Sequence, residues 1–328
     1  MRQQADFRPP WWLRGPHLQS ILPSLPWRRP LVERRAQAVM VASRELLLDA
    51  GDGVRLQAFH APAIRDSSHR DQAVVLLHGW EGSANSLYVL SLAQTLYEQG
   101  FDVVRLNLRD HGETHHLNRE LFHSCRLDEV VGAIGQLQQL LPAHALSLAG
   151  FSLGGNFMLR VAASAPRHDL QIAKAIGISP VLDPAVTLDA LESGWSLYHW
   201  YFVRKWTRSL RLKEKYWPGS FDFKDLLASG DLRRMTRELV LSHSDYQAVE
   251  DYFSGYALTG DRLRELIVPS TIVTSLDDPI IPATDLERLA QPAALKIITT
   301  PTGGHCGFFE AFAETAWLDR LVLDELKT

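Results

Sequence analysis

The chain has 328 residues, 46% of them hydrophobic and 22% charged, with a formal net charge of -4, which is ordinary globular usage and enough for one large domain with an insertion. The mildly acidic balance leaves no whole-chain footprint for nucleic acid. Two cysteines, Cys125 and Cys306, lie far apart without CxxC spacing, which argues against a disulfide framework or a zinc site and fits a reducing cytoplasm.

In chain order, "MRQQADFRPPWWLRGPHLQS" lacks the apolar core of a signal peptide, and Pro9, Pro10 and Pro16 are expected to break any helix there. The arginines of "PWRRPLVERR" (26–35) read as a solvated segment wrapping the domain edge. "RELLLDAGDGVRLQAFHA" (44–61) reads as two antiparallel strands around a Gly-Asp-Gly turn. "AVVLLHG" (73–79) has the composition of a buried strand, and a helix over 84–100 then closes on glycine. A strand over 101–110, a helix over 126–142, a strand over 145–152, a helix over 153–166 and a strand over 173–181 follow. After a long interval come a strand over 270–278, a helix near 283–290, a strand over 295–301 and a last helix near 309–326. The apolar runs fall well short of the roughly 20 residues that span a bilayer.

Strands alternating with helices of this length require crossover connections. The expected fold is therefore α/β, a mainly parallel sheet with helices on both faces and the hairpin as an antiparallel edge. Ligands of such sheets sit beyond the carboxyl ends of the strands. His78-Gly79, Ser152, Asp277-Asp278 and "GGH" at 303–305 each follow a predicted strand, so one rim gathers them.

Ser152 lies in "AGFSLGGN" (149–156), a GxSxG at a strand-to-helix junction where Gly150, Gly154 and Gly155 let neighbouring backbones pass. A serine hydroxyl needs a base to take its proton and a third group to orient that base. Ser152, Asp278 and His305 supply these in the order nucleophile, acid, base of an α/β hydrolase. Asp277 competes for the acid position, and Asp278 is preferred because the turn into Pro279 must aim a carboxylate at the imidazole. The Leu153 and Trp80 backbone amides are the expected oxyanion donors.

The segments "FRPPWWLRGPHLQSILPSL", "LLHGWEGSANSLY", "NLRDHGETHHLNRELFHS", "AGFSLGGNFMLR", "LDDPIIP" and "TGGHCGF" together resemble the YheT-like branch of the α/β-hydrolase superfamily. That family is similar to the AB-hydrolase-domain esterases. The resemblance implies acyl-ester hydrolysis on Ser152, Asp278 and His305, and it is weakest over roughly 185–265. Cys125 stands where the family pattern leads one to expect glycine.

The expected organisation is a hydrolase core over 1–182, a helical cap or lid over 183–266, and the rest of the core over 267–328. Within the cap, Trp195, Tyr198, Phe202, Trp206 and Leu210 fall on one helical face, and Arg204, Arg208, Arg211 and Lys215 on the other. This reads as an aromatic stripe over the sheet with solvated charges, and leaves peripheral lipid contact open. His111, His115, His116 and His123 read as a polar loop rather than a metal site. Cys306 is not the expected nucleophile. The reading is a cofactor-free, metal-free serine carboxylesterase acting on short- to medium-chain acyl esters. The alternatives are a lipase or thioesterase on lipid-like substrates, or a binding module that kept the fold.

Overall fold

The computed structural model of the protein describes residues 1–64, 67, 69–311 and 316–328. Its elements run β1 (Arg2–Gln4), α1 (Pro16–Ile21), α2 (Arg29–Arg35), α3 (Gln37–Ala42), β2 (Arg44–Asp49), β3 (Arg55–Ala61), β4 (Gln72–Leu77), α4 (Leu87–Glu98), β5 (Asp102–Leu106), α5 (Leu127–Leu140), β6 (Ala145–Phe151), α6 (Leu153–Ser164) and β7 (Ile172–Ile178). Five helices follow, α7 (Pro184–Ser193), α8 (Ser196–Tyr216), α9 (Lys224–Ser229), α10 (Leu232–His243) and α11 (Val249–Tyr256), before β8 (Ser270–Ser275), β9 (Leu295–Thr300) and α12 (Trp317–Lys327).

Among the described residues one sheet forms, in the order β1-β9-β8-β7-β6-β4-β5-β3-β2. The hairpin strands and the β3/β5 pair are antiparallel, and the remaining pairs are parallel. β4 has β5 on one side and β6 on the other, so successive crossovers leave in opposite directions and open a crevice beyond their carboxyl ends. Alternation along β4 builds both faces. Val75 and Leu77 join a core with α5 and α6, whereas Val74 and Leu76 join one with α4 and α12.

Four local expectations are corrected. Pro16 opens α1 instead of breaking it, because a proline at the first helical position gives up only an amide that has no helical partner. β1, unpredicted, is an exposed edge strand pairing with β9, and its polar residues carry no apolar signal. The helix near 283–290 is a 3-10 segment over Ala283–Arg288, a common form for a short connector. No helix covers 308–311, and α12 starts at Trp317; the expected span between them includes 312–315, which lie outside the described residues.

The helices between β7 and β8 pack onto the core through Leu188, Leu191, Val240 and Tyr252, and around a smaller cluster of Phe223, Leu226 and Met235. On α8, Tyr198 and Leu210 are buried, Phe202 and Trp206 are half-buried, and Arg204, Arg208, Arg211 and Lys215 are exposed. Trp195 leaves this stripe: it caps the helix, stays 47% exposed and packs against His17.

Lys213, two residues from both Arg211 and Lys215, behaves oppositely and is fully buried. Its ammonium donates to Asp110 Oδ1 at 2.7 Å and to the carbonyls of Asn118 at 2.7 Å and Glu120 at 2.9 Å. Asp110 Oδ2 accepts the Phe122 amide at 2.9 Å. The ion pair therefore ties α8 to the loop after β5 with its hydrogen-bonding capacity filled, the condition under which a buried pair offsets its desolvation. Lys213→Met, which leaves Asp110 buried without its hydrogen-bonded cation, is expected to lower unfolding free energy by about 3–5 kcal/mol in urea denaturation. Adding Asp110→Asn should recover part of that loss, and a purely additive double variant would contradict the coupling.

Candidate active site

Ser152 stands between β6 and α6 with φ 52 and ψ -118, a conformation that costs about 1–3 kcal/mol for a residue with a side chain. Its amide donates to the Ile178 carbonyl at 2.8 Å. Two glycines make the turn possible. A Cβ on Gly150 would press into the Gly154 carbonyl, and one on Gly154 into the Leu77 and His78 carbonyls. A Cβ on Gly79, in the neighbouring loop, would come within 3.1 Å of Ser152 Cβ. This close passage places Ser152 directly beside the loop that holds Trp80.

His305 Nε2 lies 3.0 Å from Ser152 Oγ, and His305 Nδ1 lies 2.9 Å from Asp278 Oδ2. Facing a carboxylate, Nδ1 carries a proton and donates it, leaving Nε2 of the neutral ring to accept from the serine hydroxyl. The other oxygen of Asp278 accepts the Ile280 and Ile281 amides, each at 2.9 Å. Its neighbour Asp277 points elsewhere and accepts the Gly304 amide at 2.9 Å, anchoring the histidine loop. Burial disfavours the imidazolium of His305, but the Asp278 charge, with Cys306 adding to it, outweighs burial and holds the ring well above its ordinary value of 6.5.

Leu153 opens α6, where backbone N–H groups point out of the helix. Trp80 is half-buried, its ring stacked on Phe202 with centroids 5.1 Å apart and edge-on to Trp206 at the same separation. Its side chain thus joins the core to α8, while Gly79, the residue before it, passes beside Ser152. These residues line a cavity of about 140 Å³ that also takes in Leu188, Leu239 and Phe253.

His78, on the same rim in sequence, is fully buried and structural. Its Nδ1 donates to the Gly79 carbonyl at 2.7 Å and its Nε2 accepts the Leu108 amide at 3.3 Å, lacing the loops after β4 and β5 together. Burial, then the neighbouring His111, pushes it well below its ordinary value.

The histidines expected in a polar loop do lie in a loop, but a covered one that forms a wall of the cavity. His111 and His115 are buried, His123 is half-buried, all three line the cavity, and His116 alone is exposed. The loop is covered because α8 lies across it, as the His115 Nε2 contact to Ser209 Oγ at 2.8 Å shows. Burial brings His111 to about 4 and His115 and His123 to about 3, so all are neutral near pH 7. Among the described residues no group of three or more His, Cys, Asp or Glu is arranged to hold a metal ion.

Cys306 directs its thiol toward the Ile178 carbonyl at 3.7 Å, and Cys125 toward the Tyr252 carbonyl at 3.3 Å. Sequence reasoning missed Ser20, Gln19 and Ser179, which bond the histidine loop from distant positions. The one available signal was a polar Gln-Ser pair inside the apolar "LQSIL".

The chain belongs to the α/β-hydrolase fold family, whose model matches residues 72–312. More particularly, it is similar over nearly its whole length to "Putative esterase YheT" of Escherichia coli (strain K12), with 26% identity over 336 residues, covering 99% of this chain and 94% of that protein. An abhydrolase domain-containing protein of Dictyostelium discoideum is 22% identical over 340 residues, covering 100% of this chain and 82% of that one. Among solved structures, the esterase Pf2001 of Pyrococcus furiosus superposes with a TM-score of 0.59 at 14% identity, over 87% of this chain and 90% of that one. The YheT-like resemblance is thereby borne out, and the chain is an α/β hydrolase.

His305 is expected to titrate above 6.5 in proton NMR, and Asp278→Asn to lower its midpoint. Because the folded value exceeds the unfolded one, the pair's contribution to stability is complete below pH 6.5 and fades as pH climbs through the folded value. A wild-type midpoint at or below the ordinary value would contradict the assignment.

Proposed function

We propose that the protein is a serine carboxylic ester hydrolase. The observation that carries this reading is the continuous hydrogen-bonded line Ser152, His305, Asp278, whose Ser152 end lies on the wall of a largely apolar cavity. Ser152 Oγ attacks the ester carbonyl carbon while His305 Nε2 takes its proton, and the Leu153 and Trp80 amides receive the oxyanion. Collapse breaks the bond to the alcohol oxygen, which leaves with the proton from His305. Water then attacks the acyl-enzyme with the same base, releasing acid and free serine. Asp278 orients the ring and stabilises its imidazolium. The esterase names of the Escherichia coli and Pyrococcus furiosus proteins point the same way. A cavity of this size suits short to medium acyl chains. The two unbridged cysteines fit a cytoplasmic setting.

A fluorophosphonate should phosphonylate the wild type at Ser152 with loss of fluoride, and Ser152→Ala and His305→Ala should each abolish the addition. Labelling should quicken with pH as His305 loses its proton. Folded wild type that stays unmodified would favour a binding module on the same fold.

A second reading, a lipid-like acyl substrate met at a membrane surface, is favoured by the exposed aromatics of the cap. Trp200 is 54% and Tyr201 43% exposed, and the Arg204 guanidinium lies 5.3 Å from the Trp200 ring centre. Such aromatic and basic pairs sit at lipid interfaces. No helix among the described residues is long and apolar enough to cross a membrane. Phosphatidylglycerol vesicles should co-sediment the wild type and release Trp200→Ala/Tyr201→Ala; equal sedimentation of both would remove this reading.

A further inference from the structure

His305 sits on a loop without helix or strand over 301–310, and Gly303, Gly304, Cys306 and Phe308 there all take positive φ. Such a segment cannot use secondary structure to satisfy its amides, so each donor must find another acceptor. The Gly304 amide donates to Asp277 Oδ1 at 2.9 Å, Cys306 to Ser179 Oγ at 3.2 Å, and Phe308 to the Gly303 carbonyl at 3.0 Å. The other two acceptors come from the opposite end of the chain. The His305 amide donates to Ser20 Oγ at 2.8 Å, and the Phe309 amide to Gln19 Oε1 at 2.6 Å.

Both residues are themselves fixed. Gln19, 0% exposed, donates through Nε2 to the Leu13 carbonyl at 2.8 Å and the Phe309 carbonyl at 2.9 Å, so its amide grips Phe309 on both sides. The Ser20 hydroxyl donates to the Pro16 carbonyl at 2.7 Å, which turns its lone pairs toward His305. On the same helix His17 Nδ1 meets the Tyr198 hydroxyl at 3.0 Å, so α1 touches both the histidine loop and α8.

The geometry points to α1 as a positioning element of the reaction: Gln19 and Ser20 hold His305 in line with Ser152 and set the acylation rate without touching substrate. The inference rests on the serine-hydrolase reading. Displacing a reacting group by about an ångström can cost on the order of 100-fold, and Ser20 holds the backbone of the base residue itself.

The test compares full-length wild type, Ser20→Ala, Ser20→Thr, Gln19→Met and His305→Ala on p-nitrophenyl butyrate, with fluorophosphonate labelling rates and thermal melts beside them. Ser20→Ala should remain folded and keep KM within about twofold, while kcat and the labelling rate fall roughly 10- to 100-fold. Ser20→Thr, which restores the hydroxyl, should regain most of the loss. Gln19→Met, near in shape but unable to bond, should show the same kcat-selective defect and serves if Ser20→Ala does not fold. An active wild type with unchanged kcat in folded Ser20→Ala or Gln19→Met overturns the positioning role alone. A wild type no faster than His305→Ala overturns the hydrolase reading and this inference with it.

Discussion

The structure depends on one close passage, where the turn from β6 into α6 runs against the end of β4. Gly154 leaves no space for a Cβ beneath the Leu77 and His78 carbonyls, and Gly150 none beneath Gly154 itself. Because β4 and β6 are parallel and paired from Gln72/Ala145 to Leu77/Gly150, both strands end at the same level. The backbone beyond one therefore meets the side chain beyond the other. Ser152 is held at positive φ by contacts on three sides: the Ile178 carbonyl above its amide, the Gly79 backbone beside its Cβ, and α6 starting immediately after it. The local strain is sustained because the sheet over-determines the turn.

Burial then acts on a set of histidines with opposite results, and the difference lies in their partners. His111, His115 and His123 face carbonyls, hydroxyls, rings and cations, so desolvation prevails and they stay neutral. His305 is buried as well, but the Asp278 carboxylate lies against Nδ1 and reverses the balance. A neutral wall beside a single charge-supported ring separates the structural imidazoles from the one aligned with Ser152. The nearby Asp110 carboxylate cannot play the same part, since both its oxygens are taken by Lys213 and the Phe122 amide.

What was legible in the sequence follows from which interactions leave a local trace. Buried parallel strands write continuous apolar runs, and the close passage writes glycines, so the sheet, Ser152 and its strand-end companions could be read from short segments. Pro16, β1 and the 3-10 turn at Ala283–Arg288 were misread or unseen because an exposed edge, a helix start and a connector are set by tertiary neighbours. The burial of the histidine loop was not legible because nothing in "DHGETHH" says that α8 will lie over it. Nothing local in the sequence separates Lys213 from the other cations of α8, since its partner Asp110 is 103 residues away. Gln19 and Ser20 leave no more than a polar pair inside "LQSIL" for the same reason, since their partners lie 290 and 285 residues away.

The irregularity of the histidine loop has its own cause in the sheet order. Ser152 follows β6, Ser179 follows β7, Asp278 follows β8 and His305 follows β9, and these four strands are successive neighbours. With strands about 4.8 Å apart, the chain leaving β9 must travel back across three intervals, roughly 14 Å, to bring an imidazole over Ser152. It crosses the end of β8, where Asp277 takes the Gly304 amide and Asp278 takes the ring, and the end of β7, where Ser179 takes the Cys306 amide. Each strand end passed on the way contributes an acceptor. Beyond the acceptors of these strand ends, α1 supplies Ser20 and Gln19. A loop running across the strand ends needs support from both sides, and the N-terminal segment completes a path that the sheet alone holds on one.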